Sequence, residues 1–252
     1  MSGNTSAMQV PAAALAELAP AGKLRAGINF QNPLLTKLGP HGEQSGVAVD
    51  LVHELARRLG VPLEIIPYQS AGALAESVSC GTWDVSVLAE EPARAKDITF
   101  AGPTTEIEAT YLVPPGSKLQ KIDDVDSPGV RIALGAKSGY DLYLTRTLKH
   151  AQRVPVAGSG AAFKRFVDQK LEAFAGLKTE LVKFAAQMPG SRILDGRFMV
   201  VRHTAGTPRG RGAAGDAYLH AFIEAVKAEG LVTQWIANSG VQGLSAAPPV
   251  TK

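Results

Sequence analysis

The chain has 252 residues, 45% of them hydrophobic and 19% charged, with a formal net charge of +3 and a pI near 9.0. That balance suits a globular protein with one large domain or two lobes. The 26 Lys and Arg residues are spread along the chain, which argues against nucleic-acid binding, and no apolar run approaches the length of a membrane span. The single cysteine, Cys80, excludes an internal disulfide and a cysteine metal cluster.

Residues 1–22 have no basic leader and no long apolar stretch, so they are not read as a secretory signal. Within them "PAAALAELAPAG" is a candidate short helix ended by Pro20 and Gly22. Residues 24–29, "LRAGIN", read as a buried strand, followed by a loop rich in Pro, Gly and Asn. Val49, Val52, Leu55, Ala56 and Leu59 recur at helical spacing, which predicts a helix over 47–59 ended by Gly60. "LEIIP" at 63–67 is a second strand, with Tyr68 at its carboxyl end. "SAGALAESVSCG" is a second helix closed by Gly81, and Cys80 at its end is expected to be a buried, inert thiol. Strand, helix, strand, helix, strand is the pattern of a parallel, doubly wound sheet.

The stretch 84–100, "DVSVLAEEPARAKDITF", is the centre of the reading. It gives a buried strand over 84–88, an acidic turn, Arg94, and a short strand over 98–100. An open α/β sheet presents charged groups at the carboxyl ends of its strands, where small ligands bind. A guanidinium there grips a carboxylate with a rigid fork of donors. The alternative for Arg94 is a surface arginine paired with Glu90 or Glu91.

After Phe100, "YLVP" reads as strand, and 130–134 as another apolar strand. It runs into "GAKSG", where Ser138 is placed to cap a helix whose free N–H groups form an anion site. Lys137 adds positive charge or is simply solvated. "RVPVAGSGAAFKRFVDQK" gives a further strand and helix, and "LEAFAGLKTELVKFAAQMPG" a short strand and a helix from Thr179. "SRILDGRFMVV" is a returning strand. "RHTAGTPRGRGAAG" reads as an exposed loop, then come two helices separated by Gly230 and a tail, "QGLSAAPPVTK".

Three segments carry a resemblance: "RAK-x-I-x-F" at 94–100, "LRAGIN" at 24–29 and "GVAVDLVHELARRLGV" at 46–61. Together, in order and spacing, they resemble the family 3 extracellular solute-binding proteins, the type II periplasmic receptors of ABC importers. The resemblance spans residues 23–241. It implies an α/β fold of two lobes, each a doubly wound, mostly parallel sheet, joined by two hinge strands. Lobe one then comprises residues 1–106 and 200–252, and lobe two 107–199. The implied ligand-binding set is Asn29, Phe30, Asn32, Tyr68, Ala89, Glu90, Arg94, Lys137, Ser138 and Gly139. Arg94 and the Ser138 helix terminus face each other across the cleft and clamp a carboxylate.

Two positions depart from the family pattern. The stacking aromatic of the first loop is replaced by Asn32, and Phe30 is the loop's aromatic. The acidic residue that holds a ligand ammonium is replaced by Leu177, beside Lys178. The expected ligand is therefore a small anion without an α-ammonium, or an amide-bearing acid read by Asn29 and Asn32. Glu90 or Glu91 would restore an ammonium partner if the turn points one of them inward. The expected partners are a small molecule and an ABC permease, with a monomeric protein, no cofactor and no nucleic acid. The resemblance places the protein in the periplasm; without a visible signal, the cytoplasm stays open.

No catalytic or metal constellation stands out among the five histidines, and there is no phosphate-binding loop. Two alternatives remain. One is a cyclohexadienyl-dehydratase-like enzyme with Glu90, Glu91 or Glu172 as the acid. The other is a ligand-sensing domain without transport.

Overall fold

The structure is a computed structural model that describes residues 9–249. Residues 1–8, part of the N-terminal reading, and 250–252 of the expected tail lie outside the described residues. The first part of the chain forms α1 (Ala12–Leu18), β1 (Leu24–Asn29), a small hairpin of β2 (Lys37–Leu38) and β3 (Gln44–Ser45), and α2 (Val47–Leu59). β4 (Leu63–Tyr68), α3 (Ala71–Glu76), β5 (Val85–Ala89) and β6 (Ile98–Phe100) complete that run. β7 (Thr105–Val113) leads into β8 (Arg131–Gly135), α4 (Gly139–Thr147), β9 (Gln152–Val156), α5 (Ser159–Asp168), β10 (Ala173–Leu177), α6 (Lys178–Ala185) and β11 (Arg192–Ile193). β12 (Met199–Pro208) returns and is followed by α7 (Ala213–Ala228), α8 (Leu231–Ser239) and β13 (Leu244–Ala246).

The protein has two lobes, each with a parallel set of three strands. In the first, β1 lies between β4 and β5; in the second, β8 lies between β9 and β10. The first strand of each set is thus central, and the chain leaves it in opposite directions. That makes a topological switch point, which opens a crevice at the carboxyl ends. Both middle strands are apolar and buried, as strands covered on two faces must be. α2 covers one face with Val47, Leu51, Val52, Leu55 and Leu59, all buried. Gly60 ends it at φ 70°, a left-handed turn that a side chain would strain.

The two sets are not separate sheets. β12 pairs antiparallel with β5 over His203–Gly206 and with β7 over Met199–His203. β7 pairs in turn with β10 over Ala109–Leu112. The hinge strands therefore fuse both lobes into one ladder in the order β4-β1-β5-β12-β7-β10-β8-β9.

Three sequence expectations are corrected here. Residues 202–208 are not an exposed loop but the end of β12, buried over 203–207, because β5, β6 and β7 all pair with it. Cys80 ends the helical run as expected, in a 3-10 turn over Ser77–Cys80 that continues α3, but it is exposed and not buried. Leu244–Ala246 of the tail is a strand on β7.

Asp84 anchors the start of β5. It is fully buried and accepts from the backbone N–H of Arg25 at 3.1 Å and from its Nε and Nη2 at 3.0 and 2.8 Å. Arg211 binds the same carboxylate from the opposite end of the chain. Replacing Asp84 by Ala strands two cations against the core. We expect a loss of about 3 kcal/mol in urea unfolding, the low end for a broken buried pair because both arginines keep some access to water. A loss below about 1 kcal/mol would mean that the pairs behave as surface ion pairs.

Candidate functional site

The carboxyl ends of both parallel sets face a single cavity of about 220 Å³. Drug-sized ligands occupy roughly 300–1,000 Å³, so this space suits a smaller molecule. Lobe one contributes Asn29, Asn32, Thr36, Gln69, Ser70 and the end of β5 through Ala89. Lobe two contributes Gly135, Ser138, Gly139, Gly158, Ser159, Leu177 and Glu180. The N-cap residues of four helices, Ser70 of α3, Ser138 of α4, Gly158 of α5 and Leu177 of α6, all line it. Each helix start carries unsatisfied N–H groups and a partial positive charge.

Arg94 comes from a tight turn after β5, closed by Arg94 N–H and Ala95 N–H both donating to Glu91 O at 2.9 Å. Arg94 as a residue is 6% exposed. Nη1 donates to Ala89 O at 2.9 Å in its own lobe, and Nη2 to Lys137 O at 2.8 Å in the other. Among the described residues no carboxylate ion-pairs with it. Glu91, which favours its charge, is itself bound to Arg146 of α4. Burial therefore pushes Arg94 down to about 10. A buried cation without an anionic partner, in a cavity ringed by helix N-termini, is an electrostatic demand for an anion.

Ser138 caps α4 by accepting from Asp141 N–H at 3.1 Å. Gly139 lets the lobes meet: a Cβ there would lie 2.9 Å from Ala89 Cβ. In lobe one, Thr36 Oγ1 donates to Asn29 O at 3.1 Å and to Asn32 O at 2.9 Å, and Asn32 Oδ1 accepts from Leu34 N–H at 3.1 Å. These bonds fix the first loop.

Of the ten residues read from the sequence, Asn29, Asn32, Ala89, Arg94, Ser138 and Gly139 are brought together. Four are not. Phe30 packs against the main core. Tyr68 is bound through its hydroxyl to Thr82 at 2.8 Å and packs with Trp83 and Leu74. Glu90 is exposed. Lys137 reaches the site only through its carbonyl, while its exposed ammonium pairs with Glu76 of the opposite lobe. Lys178 likewise turns away to Glu108, at 2.9 Å. None of the acids considered for catalysis lines the cavity: Glu91 holds Arg146, and Glu172 holds Arg131 at 2.8 Å.

The cavity nevertheless has an acid. Leu177 lines it without charge, as the departure from the family pattern implies, but Glu180 lies in the first turn of α6 and lines it too. Glu180 is 8% exposed and accepts from Ser159 Oγ at 3.1 Å. Burial raises its pKa above the usual 4.5, while Ser159 and Lys183 oppose the shift. The expectation of a pocket with no compensating acid is thus corrected: the acid sits three residues further on. A signal for this end of the site was in the sequence. "AGSG" at 157–160 repeats the pattern of "AKSG" at 136–139 at an equivalent strand-to-helix junction. His203 was also missed, because its segment reads as loop; it lines the cavity from β12.

Comparison with known proteins agrees with this architecture. The family described as bacterial extracellular solute-binding proteins, family 3, matches residues 24–237. No curated protein matches the chain. Among solved structures, a solute receptor for L-cysteine from Neisseria gonorrhoeae superposes with a TM-score of 0.76 at 18% identity, covering 93% of this chain and 99% of that one. A mutant of ArgBP from T. maritima gives 0.73 at 21% identity, over 90% and 99%. An ancestral amino acid-binding protein, a precursor of cyclohexadienyl dehydratase, gives 0.73 at 19%, over 89% and 97%. At these identities the likeness establishes the fold.

Two outcomes follow. Gly139→Ala forces the lobes apart at Ala89, so small-angle scattering should give a larger radius of gyration than wild type, with weaker ligand binding. For Glu180 the folded pKa lies above the unfolded one. Its contribution is therefore full below the usual 4.5 and is lost as pH rises through the raised value. Without ligand, Glu180→Gln should gain stability over wild type as pH rises from about 4 to about 8 in thermal melts. A gap that does not change with pH would mean that Glu180 is solvated.

Proposed function

Because the chain belongs to the bacterial extracellular solute-binding proteins, family 3, we propose that it is a receptor whose lobes close on a small, amino-acid-like carboxylate for delivery to an ABC importer. The observation that carries this reading is Arg94, a buried guanidinium in the cavity with no carboxylate bonded to it. Two of its N–H groups hold backbone carbonyls; the others are left for a ligand. Ser138 and the N-terminus of α4 face the same carboxylate from lobe two. Glu180 and Ser159 take the ligand's ammonium, whose positive charge favours the Glu180 carboxylate that burial disfavours and makes it half of an ion pair. The ligand contacts both lobes, so it favours the closed form by differential affinity. The proposed lobe limits, 1–106 with 200–252 and 107–199, fall near the starts of β7 and β12, in the stretch where the two pair with each other, between the pairing of β12 with β5 and that of β7 with β10. No helix among the described residues is long and apolar enough to cross a membrane.

A second reading has one observation in its favour. A carboxyl whose pKa burial raises inside a cavity is a candidate general acid, and Glu180 meets that condition, whereas Glu90, Glu91 and Glu172 do not line the cavity. A dehydratase of the cyclohexadienyl type would use it so.

The test is a thermal-shift and calorimetric panel that pairs each α-amino acid with its 2-oxo analogue. Amino acids should stabilise the protein more than their analogues. Glu180→Gln should erase that difference, and Arg94→Ala should cost about 2–5 kcal/mol of binding, with Arg94→Lys intermediate. Unchanged affinity in Arg94→Ala removes it from the site. Stronger binding of the 2-oxo acids overturns the ammonium assignment. Turnover of a cyclohexadienyl acid, abolished by Glu180→Gln, decides for the enzyme.

A further inference from the structure

His203 also lines a second cavity, of about 10 Å³. Its walls are mostly apolar side chains, Leu35, Val47 and Leu51 among them; Thr104, Thr105 and His203 are the lining residues that have polar side chains. These three are 2%, 1% and 7% exposed. Thr104 Oγ1, Thr105 Oγ1 and His203 Nδ1 have no hydrogen-bonding partner among the described residues. Buried polar side-chain atoms are bonded in the large majority of cases, to protein or to ordered water.

The hydrogen-bond network fixes which nitrogen of His203 carries hydrogen. Asn32 Oδ1 already accepts from Leu34 N–H, so the amide nitrogen is the atom that faces His203 Nε2, at 3.4 Å. That nitrogen can only donate, and Nε2 must accept. Burial and the nearby Arg94 charge push His203 down to about 3, so the ring is neutral at neutral pH. Its one hydrogen is then on Nδ1, the atom without a partner. A cavity of this size holds a single water when two to four polar groups line it.

We propose that this cavity is a binding site for one ordered water, which accepts from His203 Nδ1–H and donates to the hydroxyls of Thr104 and Thr105. The site lies where the two hinge strands pair, His203 opposite Thr105. Through His203 it holds the Asn32 amide in place at the wall of the ligand cavity. His203 is thus a positioning residue, and this last step rests on the receptor reading above; the water site does not.

Three measurements on the full chain test it. A high-resolution crystal structure should show one water within hydrogen-bond distance of His203 Nδ1 and a threonine hydroxyl; a dry cavity overturns the site. Nitrogen chemical shifts should give the Nδ1–H tautomer for His203; the Nε2–H form overturns the network. Thr105→Val is close to isosteric. With the water bound, it loses a bond and its Tm should fall by about 2–4 °C. If the hydroxyl has no partner, valine removes an unsatisfied group and Tm rises, which also overturns the site. For the positioning step, Thr105→Val should weaken by a few fold the amino acid that stabilises wild type most in the panel; unchanged affinity removes it. If no amino acid binds, the receptor reading falls, while the water and tautomer results stand on their own.

Discussion

The ladder between β7 and β12 is the constraint on which everything else rests. Five residue pairs, from Met199 opposite Ala109 to His203 opposite Thr105, tie the two long strands antiparallel. β12 also pairs with β5 and β7 with β10, so each is bonded to one lobe and to the other hinge strand. Because the parallel sets hang on opposite sides of this pair, their carboxyl ends turn toward one another. Helix N-termini follow parallel strands at those ends. The ring of N-caps around the cavity is a consequence of topology more than of any one residue.

Electrostatics then determine what the cavity can hold. Arg94 is buried and spends two N–H groups on carbonyls, one in each lobe. Desolvation opposes its charge, and the four helix starts add to the positive field. Glu180 is opposite in sign and opposed in the same way, by burial. In the proposed reading, this cation and this acid, neither held in an ion pair, are what a molecule with one charge of each sign would complement. The outer cations do not enter this balance. Lys137 and Arg146 pair across the cleft with Glu76 and Glu91, and tie the lobes together at the rim.

The parts of the molecule governed by local chemistry were legible in the sequence. α2 begins and ends where the apolar spacing and Gly60 place it. β1 and β6 match their expected ranges, and Ser138 caps α4 as its position before a helix implies. Where local chemistry is ambiguous, the reading failed. The segment "RHTAGTP" looks like loop because threonine, glycine and proline outweigh its apolar residues, yet three neighbouring strands pair with it. Phe30 and Tyr68 are next to the cleft in sequence, but the core offered more apolar contact than the cavity did.

The sequence by itself determined the alternation of strand and helix, the two parallel sets and the arginine after β5. These depend on periodicity, capping and turn chemistry within a few residues. Only the tertiary structure decided which charges line the cavity. Glu180 and Arg94 lie far apart along the chain, and burial, the quantity that shifts the pKa of each, is created by tertiary packing. The same holds for His203, whose hydrogen is placed by Asn32, 171 residues away. A pattern read along the chain cannot carry such information, because it belongs to pairs of residues that meet only once both hinge strands have closed the ladder.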